Sequence, residues 1–149
     1  MPSLKSIIEE PSQREEVVAD ACRVLDAEVS DKSGLSGLAV KGAYKIVQGV
    51  RPGFIREVVD HLLEDFLDAL DPLYQEALER GVAPSAHLRA NESRVAEALL
   101  GITDARARGA ARPLIRKTYD KLRPSAVTHV EAAVPRLGEL LERHAPKAG

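Results

Sequence analysis

The sequence is short of aromatic residues, with two Phe, three Tyr and no Trp among 149 residues. A core without them has to be filled by Leu, Val, Ile and Ala. That suits helices packed on helices better than strands, where aromatic and β-branched side chains are favoured. Cysteine is nearly absent too. Cys22 stands alone, so no intramolecular disulfide can form, a disulfide-stapled secreted scaffold is excluded, and a reducing cytoplasm is the expected compartment. No apolar run approaches the ~20 residues of a membrane span. The first ten residues carry Glu9 and Glu10 where a signal peptide would have a basic flank and a long apolar stretch. Also missing is any Ser-His-Asp, zinc-protease, nucleotide-binding or redox motif. No catalytic residue can be named, no cofactor is expected, and the chain reads as a non-enzyme.

What is present is an internal echo. Val18-Ala19-Asp20-Ala21 returns as Val95-Ala96-Glu97-Ala98, and Leu25-Asp26-Ala27 returns, after a one-residue slip, as Ile102-Thr103-Asp104-Ala105. Lys41 and Tyr44 are matched by Arg116 and Tyr119, and each pair is followed by an Arg-Pro, Arg51-Pro52 and Arg123-Pro124, expected to open a helix. A repeat of roughly 75 residues implies two related helical units packed on each other, and so an all-α, compact helical bundle with internal pseudo-symmetry. At this length a chain buries about 70% of its unfolded surface without metals or disulfides, and the expectation is a single domain over residues 1–149, with repeat units near 12–80 and 85–145.

Periodicity outlines the helices. Leu4 to Ile8 is a short apolar segment ending before Pro11, placed to dock as a small lid. Ser12 with Glu15 three residues on is a capping-box signature, and Val17, Val18, Ala21, Val24, Leu25 and Val29 follow at helical spacing, which predicts a helix over residues 13–29. Cys22 falls on this stripe as a buried, inert thiol. Residues 33–50 place Leu35, Leu38, Ala39, Gly42, Ala43, Ile46, Val47 and Val50 on one predicted face, interrupted by glycines. An interior glycine costs about 0.5–1 kcal/mol relative to alanine, and the expected offset is close approach of a neighbouring helix over Ala39, Gly42 and Ala43. A leucine at Gly42 should then overpack that contact.

Pro52 suits a first helical turn and opens the strongest amphipathic segment. Its two adjacent stripes, Ile55, Val58, Leu62, Phe66 and Ala69 beside Phe54, Val59, Leu63, Leu67 and Leu70, predict a central helix with neighbours on two sides. Asp71-Pro72 is expected to start a separate short helix ending at Gly81, before a linker over residues 81–85. The equivalent helix after Pro124 carries Glu131, Pro135 and Glu139 where apolar residues are needed, which predicts an outlying helix kinked near Pro135.

Charge is nearly balanced at a net −2, but unevenly spread. Residues 57–79 hold eight carboxylates and no Lys or Arg, whereas Arg106, Arg108, Arg112, Arg116, Lys117, Lys121 and Arg123 are opposed only by Asp120. Lys41, Lys45 and Arg51 are placed to join them through the pseudo-symmetry. Either the two faces are solvated surfaces that neutralise each other within or between subunits, or the basic one binds a polyanion such as nucleic acid, or a protein partner. Scarce aromatics and near-neutral charge weigh against nucleic acid. His61 has Glu57, Glu64 and Asp65 at helical spacing, and His129 aligns with Glu57, so a metal-binding bundle is a third reading. The order His61-x-x-Glu64 is the reverse of the usual Glu-x-x-His, so no metal ligand is assigned. His87 and His144 show no partner and are expected at the surface. Tyr44 and Tyr119 each share a face with a basic residue three positions earlier, as a small anion pocket or as a ring under a basic stem.

Taken together, Leu25 to Val29 with Asp31-Lys32-Ser33-Gly34, Lys41 to Lys45, Arg51-Pro52-Gly53 with Val59 to Leu63, and Leu122-Arg123-Pro124-Ser125 resemble an uncharacterised family of small all-helical bacterial proteins. The likeness runs from about Pro11 to His144 and rests on no motif of known chemistry. It implies a bacterial cytoplasmic helical domain and brings no site residue. The resulting expectation is a helical interaction or scaffolding protein acting through protein binding, on a protein partner or on a second copy as a homodimer. Nucleic-acid binding through residues 106–123 is the alternative, and no membrane is involved.

Overall fold

A computed structural model describes residues 3–145. Among them are one 3-10 helix, η1 (Leu4–Ile8), and six α-helices with no strand. The helices are α1 (Pro11–Asp31), α2 (Gly34–Gln48), α3 (Phe54–Arg80), α4 (Pro84–Ala90), α5 (Glu92–Arg108) and α6 (Pro113–His144). The all-helical class expected from composition is therefore found.

The hub is α3, which packs against η1, α1, α2, α4 and α5. Leu63, Leu67, Leu70, Leu73, Tyr74 and Ala77 are its buried face, while the adjacent stripe from Ile55 to Ala69 is half-buried. The lid also docks: Leu4, Ile7 and Ile8 enter the core with Val17, Leu67, Leu70 and Leu141. Its first free amide, that of Leu4, donates to Asp71 Oδ1 at 2.9 Å.

Proline is where the local expectations fail. Asp71-Pro72 starts no new helix, because α3 runs unbroken through Pro72. Arg123-Pro124 opens none either, since α6 is one helix of 32 residues containing both Pro124 and Pro135. A mid-helix proline removes one backbone hydrogen bond, and here packing on both sides outweighs that loss. Nor is α6 an outlier. Val134, Leu140 and Leu141 are 0–3% exposed, and α6 packs on α5, α4, α1 and α2. Glu131 lies beside the stripe rather than on it, donated to by Ser93 Oγ at 3.0 Å. At the other end of the chain, Ser12 caps nothing. The first long helix starts at Pro11 with Glu10 as its N-cap and no side-chain capping bond, because Pro11 already occupies the first turn.

The glycine of close approach is also a different one. A Cβ on Gly42 would meet nothing within 4 Å, whereas one on Gly138 would stand 2.9 Å from the Cα and Cβ of Ser85. Gly42 is exposed on α2, and the tight crossing is that of α6 over the start of α4. Ser85 N–H donates to Glu142 Oε1 at 3.0 Å at the same place. The end of α6 is tied to α1 as well. Asp20, 7% exposed, accepts from Arg143 at 2.9 and 3.1 Å and from His144 Nε2 at 2.8 Å. Burial by itself would raise the Asp20 pKa, but the Arg143 and His144 hydrogen bonds hold it below the ordinary carboxylate value. His144 thus has a partner. So has His87, which is 6% exposed with Nε2 3.0 Å from Glu76 Oε1. Neither is the solitary surface histidine expected.

Gly138→Leu should destabilise by about 1–3 kcal/mol through overpacking, while Gly42→Ala should leave the melting temperature equal or higher. The reverse ranking in thermal unfolding would place the tight crossing elsewhere. Because the Asp20 pKa is depressed on folding, its stabilisation is complete above the unfolded value near 3.8 and is lost as pH falls through the native value. Asp20→Asn should therefore lower stability at pH 7 by about 1–2 kcal/mol and flatten the acid limb of the stability curve, as read by urea unfolding at several pH values.

Candidate functional site

The basic segment folds into the antiparallel pair α5 and α6. Their pairing is set by contacts at Ser93–Glu131, Thr103–Tyr119 and Asp104–Arg123. On α6, Arg116, Tyr119, Asp120 and Arg123 recur every three or four residues and so share a face. On α5, Asp104, Ala107 and Arg108 do the same. The two stripes line an open cleft of about 210 Å³.

Its floor is a hydrogen-bonded set. Arg123 grips Asp104 through Nε and Nη2 at 2.8 and 3.2 Å. The Tyr119 hydroxyl donates to Asp104 Oδ1 and lies 2.6 Å from Thr103 Oγ1. Arg116 donates to the Ala110 carbonyl. The Arg123 and Tyr119 bonds hold the Asp104 carboxyl below its ordinary pKa. Burial, then the Asp104 carboxylate, push the Tyr119 phenol up. This arrangement fixes Arg116 and Arg123 beside an open cleft, where planar guanidinium donors can meet a small anion.

The structure brings together only part of the predicted basic set. Arg108, Arg116 and Arg123 line the cleft. Arg106 turns away to Asp65 on α3 at 2.6 Å. Arg112 is the N-cap of α6, and it is exposed with Lys117 and Lys121. Lys41, Lys45 and Arg51 are not among the lining residues; Arg51 pairs with Glu57 at 2.7 Å and lies over the Phe54 ring. Asp104 is a residue that sequence reasoning missed. Its signal was available, because Asp26 and Asp104 correspond in the echo, as do Tyr44 and Tyr119, and the Tyr44 hydroxyl bonds Asp26 just as Tyr119 bonds Asp104.

The acidic run is largely neutralised, and mostly not by the basic segment. Asp60 meets Arg14, Glu64 and Asp68 meet Lys5, and Glu76 meets Arg94 and His87. The Arg94 and His87 bonds bring Glu76 down to a pKa of about 2. Arg106–Asp65 is the bridge to the basic segment. Around His61, Glu57, Glu64 and Asp65 are each bound to a cation, and among the described residues no group of three His, Cys, Asp or Glu could hold a metal ion. His129 has a buried, unpaired Nε2, and burial, then Lys32, lowers its pKa. Cys22 is half-buried, with burial raising its thiol pKa.

A family model matches residues 4–145. The chain belongs to DUF6918, a family of unknown function. No curated protein and no solved structure matches it.

The second surface feature is α2, whose apolar residues do not form the single inward face expected. Gly37 and Ala43 are buried and Val40 and Val47 half-buried, but Leu35, Leu38 and Ile46 are 88%, 65% and 44% exposed. They form a stripe with Ala39, Gly42 and Gly49, all exposed. No helix among the described residues is long and apolar enough to cross a membrane.

Asp104→Asn removes the carboxylate that disfavours the Tyr119 phenolate. In ultraviolet titration one of the three tyrosines should move down toward the ordinary value of 10.0, and Tyr119→Phe should abolish that difference. An unchanged titration would mean that Tyr119 does not bond Asp104 in solution.

Proposed function

We propose that this protein is a non-enzymatic helical interaction protein of the cytoplasm that pairs with a second copy of itself through the outer face of α2. The observation that carries the reading is the exposure of Leu35, Leu38 and Ile46 on a helix whose opposite face is already packed. A helix with apolar residues on its packed and on its outer face has the composition of one covered on both sides, and an exposed apolar patch marks a contact site. A second α2 fits because the stripe is complementary to itself about Gly42. A twofold interface sets a patch against its own copy. Two antiparallel α2 helices crossing at Gly42 would place Leu35 opposite Gly49, Leu38 opposite Ile46 and Ala39 opposite Lys45. Large then faces small at both ends, and the glycine pair lets the backbones approach. No carboxylate occurs within α2, and Lys45 at the edge can lay its stem along Ala39 with its ammonium in water. One helix face is smaller than the ~800 Å² per partner of a standard interface, so the pair is a concentration-dependent one.

The bundle also reads as a worn duplication. The bonds Tyr44 to Asp26 and Tyr119 to Asp104 join corresponding positions of the two halves, which supports pseudo-symmetric units. The halves have diverged at the Arg-Pro step, since Arg51 pairs with Glu57 and Arg123 with Asp104.

A second reading, nucleic-acid association, is favoured by Arg108, Arg112, Lys117 and Lys121, for which no ion pair occurs among the described residues. Co-elution of material absorbing near 260 nm at low salt, lost on Arg112→Glu with Lys117→Glu, would support it.

Light scattering over a concentration series should show the mass rising from one 16.1 kDa chain toward two. Leu38→Glu and Gly42→Leu should each hold it at one chain with the helical circular dichroism unchanged. A single-chain mass throughout, or a Leu38→Glu variant that still pairs, rules this face out.

A further inference from the structure

We propose that the cleft between α5 and α6 is a binding site for one phosphate-type anion, held by Arg108 and Arg116 with Arg123 behind them. Three arginines line a cavity of about 210 Å³, below the ~300–1,000 Å³ of pockets that enclose whole small molecules. The occupant is therefore a head group, with whatever carries it lying outside.

Two of the arginines are already in position. Arg123 is locked by its two bonds to Asp104, and Arg116 is anchored at one nitrogen by the Ala110 carbonyl, which leaves its other donors available. Preorganised donors lose little freedom when a ligand arrives, and planar guanidinium groups match phosphate oxygens in pairs. Arg108, in the last turn of α5, makes no close ion pair among the described residues and acts on Asp104 only through space, so its donors are free for a ligand. The Tyr119 hydroxyl lies on the same wall, committed to Asp104.

The lining carries three positive charges against Asp104 and Asp120. Asp104 is occupied by Arg123 and Tyr119. Asp120 is not so matched, and it is the one lining group that opposes an anion. Removing Asp120 should strengthen binding and removing Arg108 weaken it, and what a merely basic surface lacks is indifference to Lys117 and Lys121, which do not line the cleft.

The experiment is calorimetric titration of the full chain at low ionic strength with inorganic phosphate, then with a short single-stranded oligonucleotide. Phosphate should bind saturably, one per chain. Arg108→Gln should weaken it roughly tenfold to a hundredfold, the loss of a charge-assisted hydrogen bond, and Asp120→Asn should tighten it. Lys117→Gln and Lys121→Gln, outside the cleft, should change it less than about twofold. Arg108 and Asp120 are exposed, so unchanged melting temperatures are expected to accompany these effects. No saturation at millimolar phosphate overturns the site. So does equal weakening by Arg108→Gln and Lys117→Gln, or oligonucleotide binding that depends on the rim lysines and leaves phosphate unbound, which is the mark of a polyanion surface. These variants leave α2 untouched, so the site and the self-association reading fail in different measurements.

Discussion

The crossing of α6 over α4, where Gly138 meets the backbone of Ser85, is the contact on which the bundle's closure depends. At that point the last helix comes close enough for Val134, Leu140 and Leu141 to enter the core built on α3. A side chain there would hold the helices apart and open contacts along the whole interface. The Ser85–Glu142 bond and the Asp20 carboxylate, which gathers Arg143 and His144 onto α1, close the same end of the molecule with polar contacts. Residues 57 positions and more than 120 positions away are thus joined to the last turn of α6.

Charge pairing follows from this arrangement. Once α3 is central, its carboxylates face η1, α1 and α5, and Lys5, Arg14, Arg94 and Arg106 reach them. Exposed pairs of this kind are screened by solvent and add little stability, so their role is mainly to discharge one surface. Among the described residues Arg108 and Arg112, by the α5–α6 turn, and Lys117 and Lys121, on α6, make no ion pair. The outward face of α2 is the apolar counterpart of that remainder. A positive cleft and an uncharged stripe are thus two separate surfaces, which permits anion binding and self-association in one small chain.

Much of the fold was legible in the sequence because periodicity reports local geometry. The docked segment at Leu4 to Ile8 and the central position of the helix carrying Leu63, Leu67 and Leu70 follow from spacing alone, although that helix begins at Phe54, after Pro52 rather than on it. Prolines misled for a physical reason: the loss at Pro72 or Pro124 is one backbone bond, and whether a helix survives it depends on how residues of that helix, such as Leu73, Tyr74 and Val134, are buried in the core. Glycines misled likewise, since Gly42 and Gly138 look alike until a neighbour is placed beside one of them.

Composition and pattern by themselves determined that the chain is helical, that its core is aliphatic, and where its charges cluster along it. Only the tertiary structure decided which of those charges are neutralised, which glycine is indispensable, and that α2 keeps apolar residues outside. Ion pairing and burial depend on distances between segments far apart in sequence, and no local spacing encodes those.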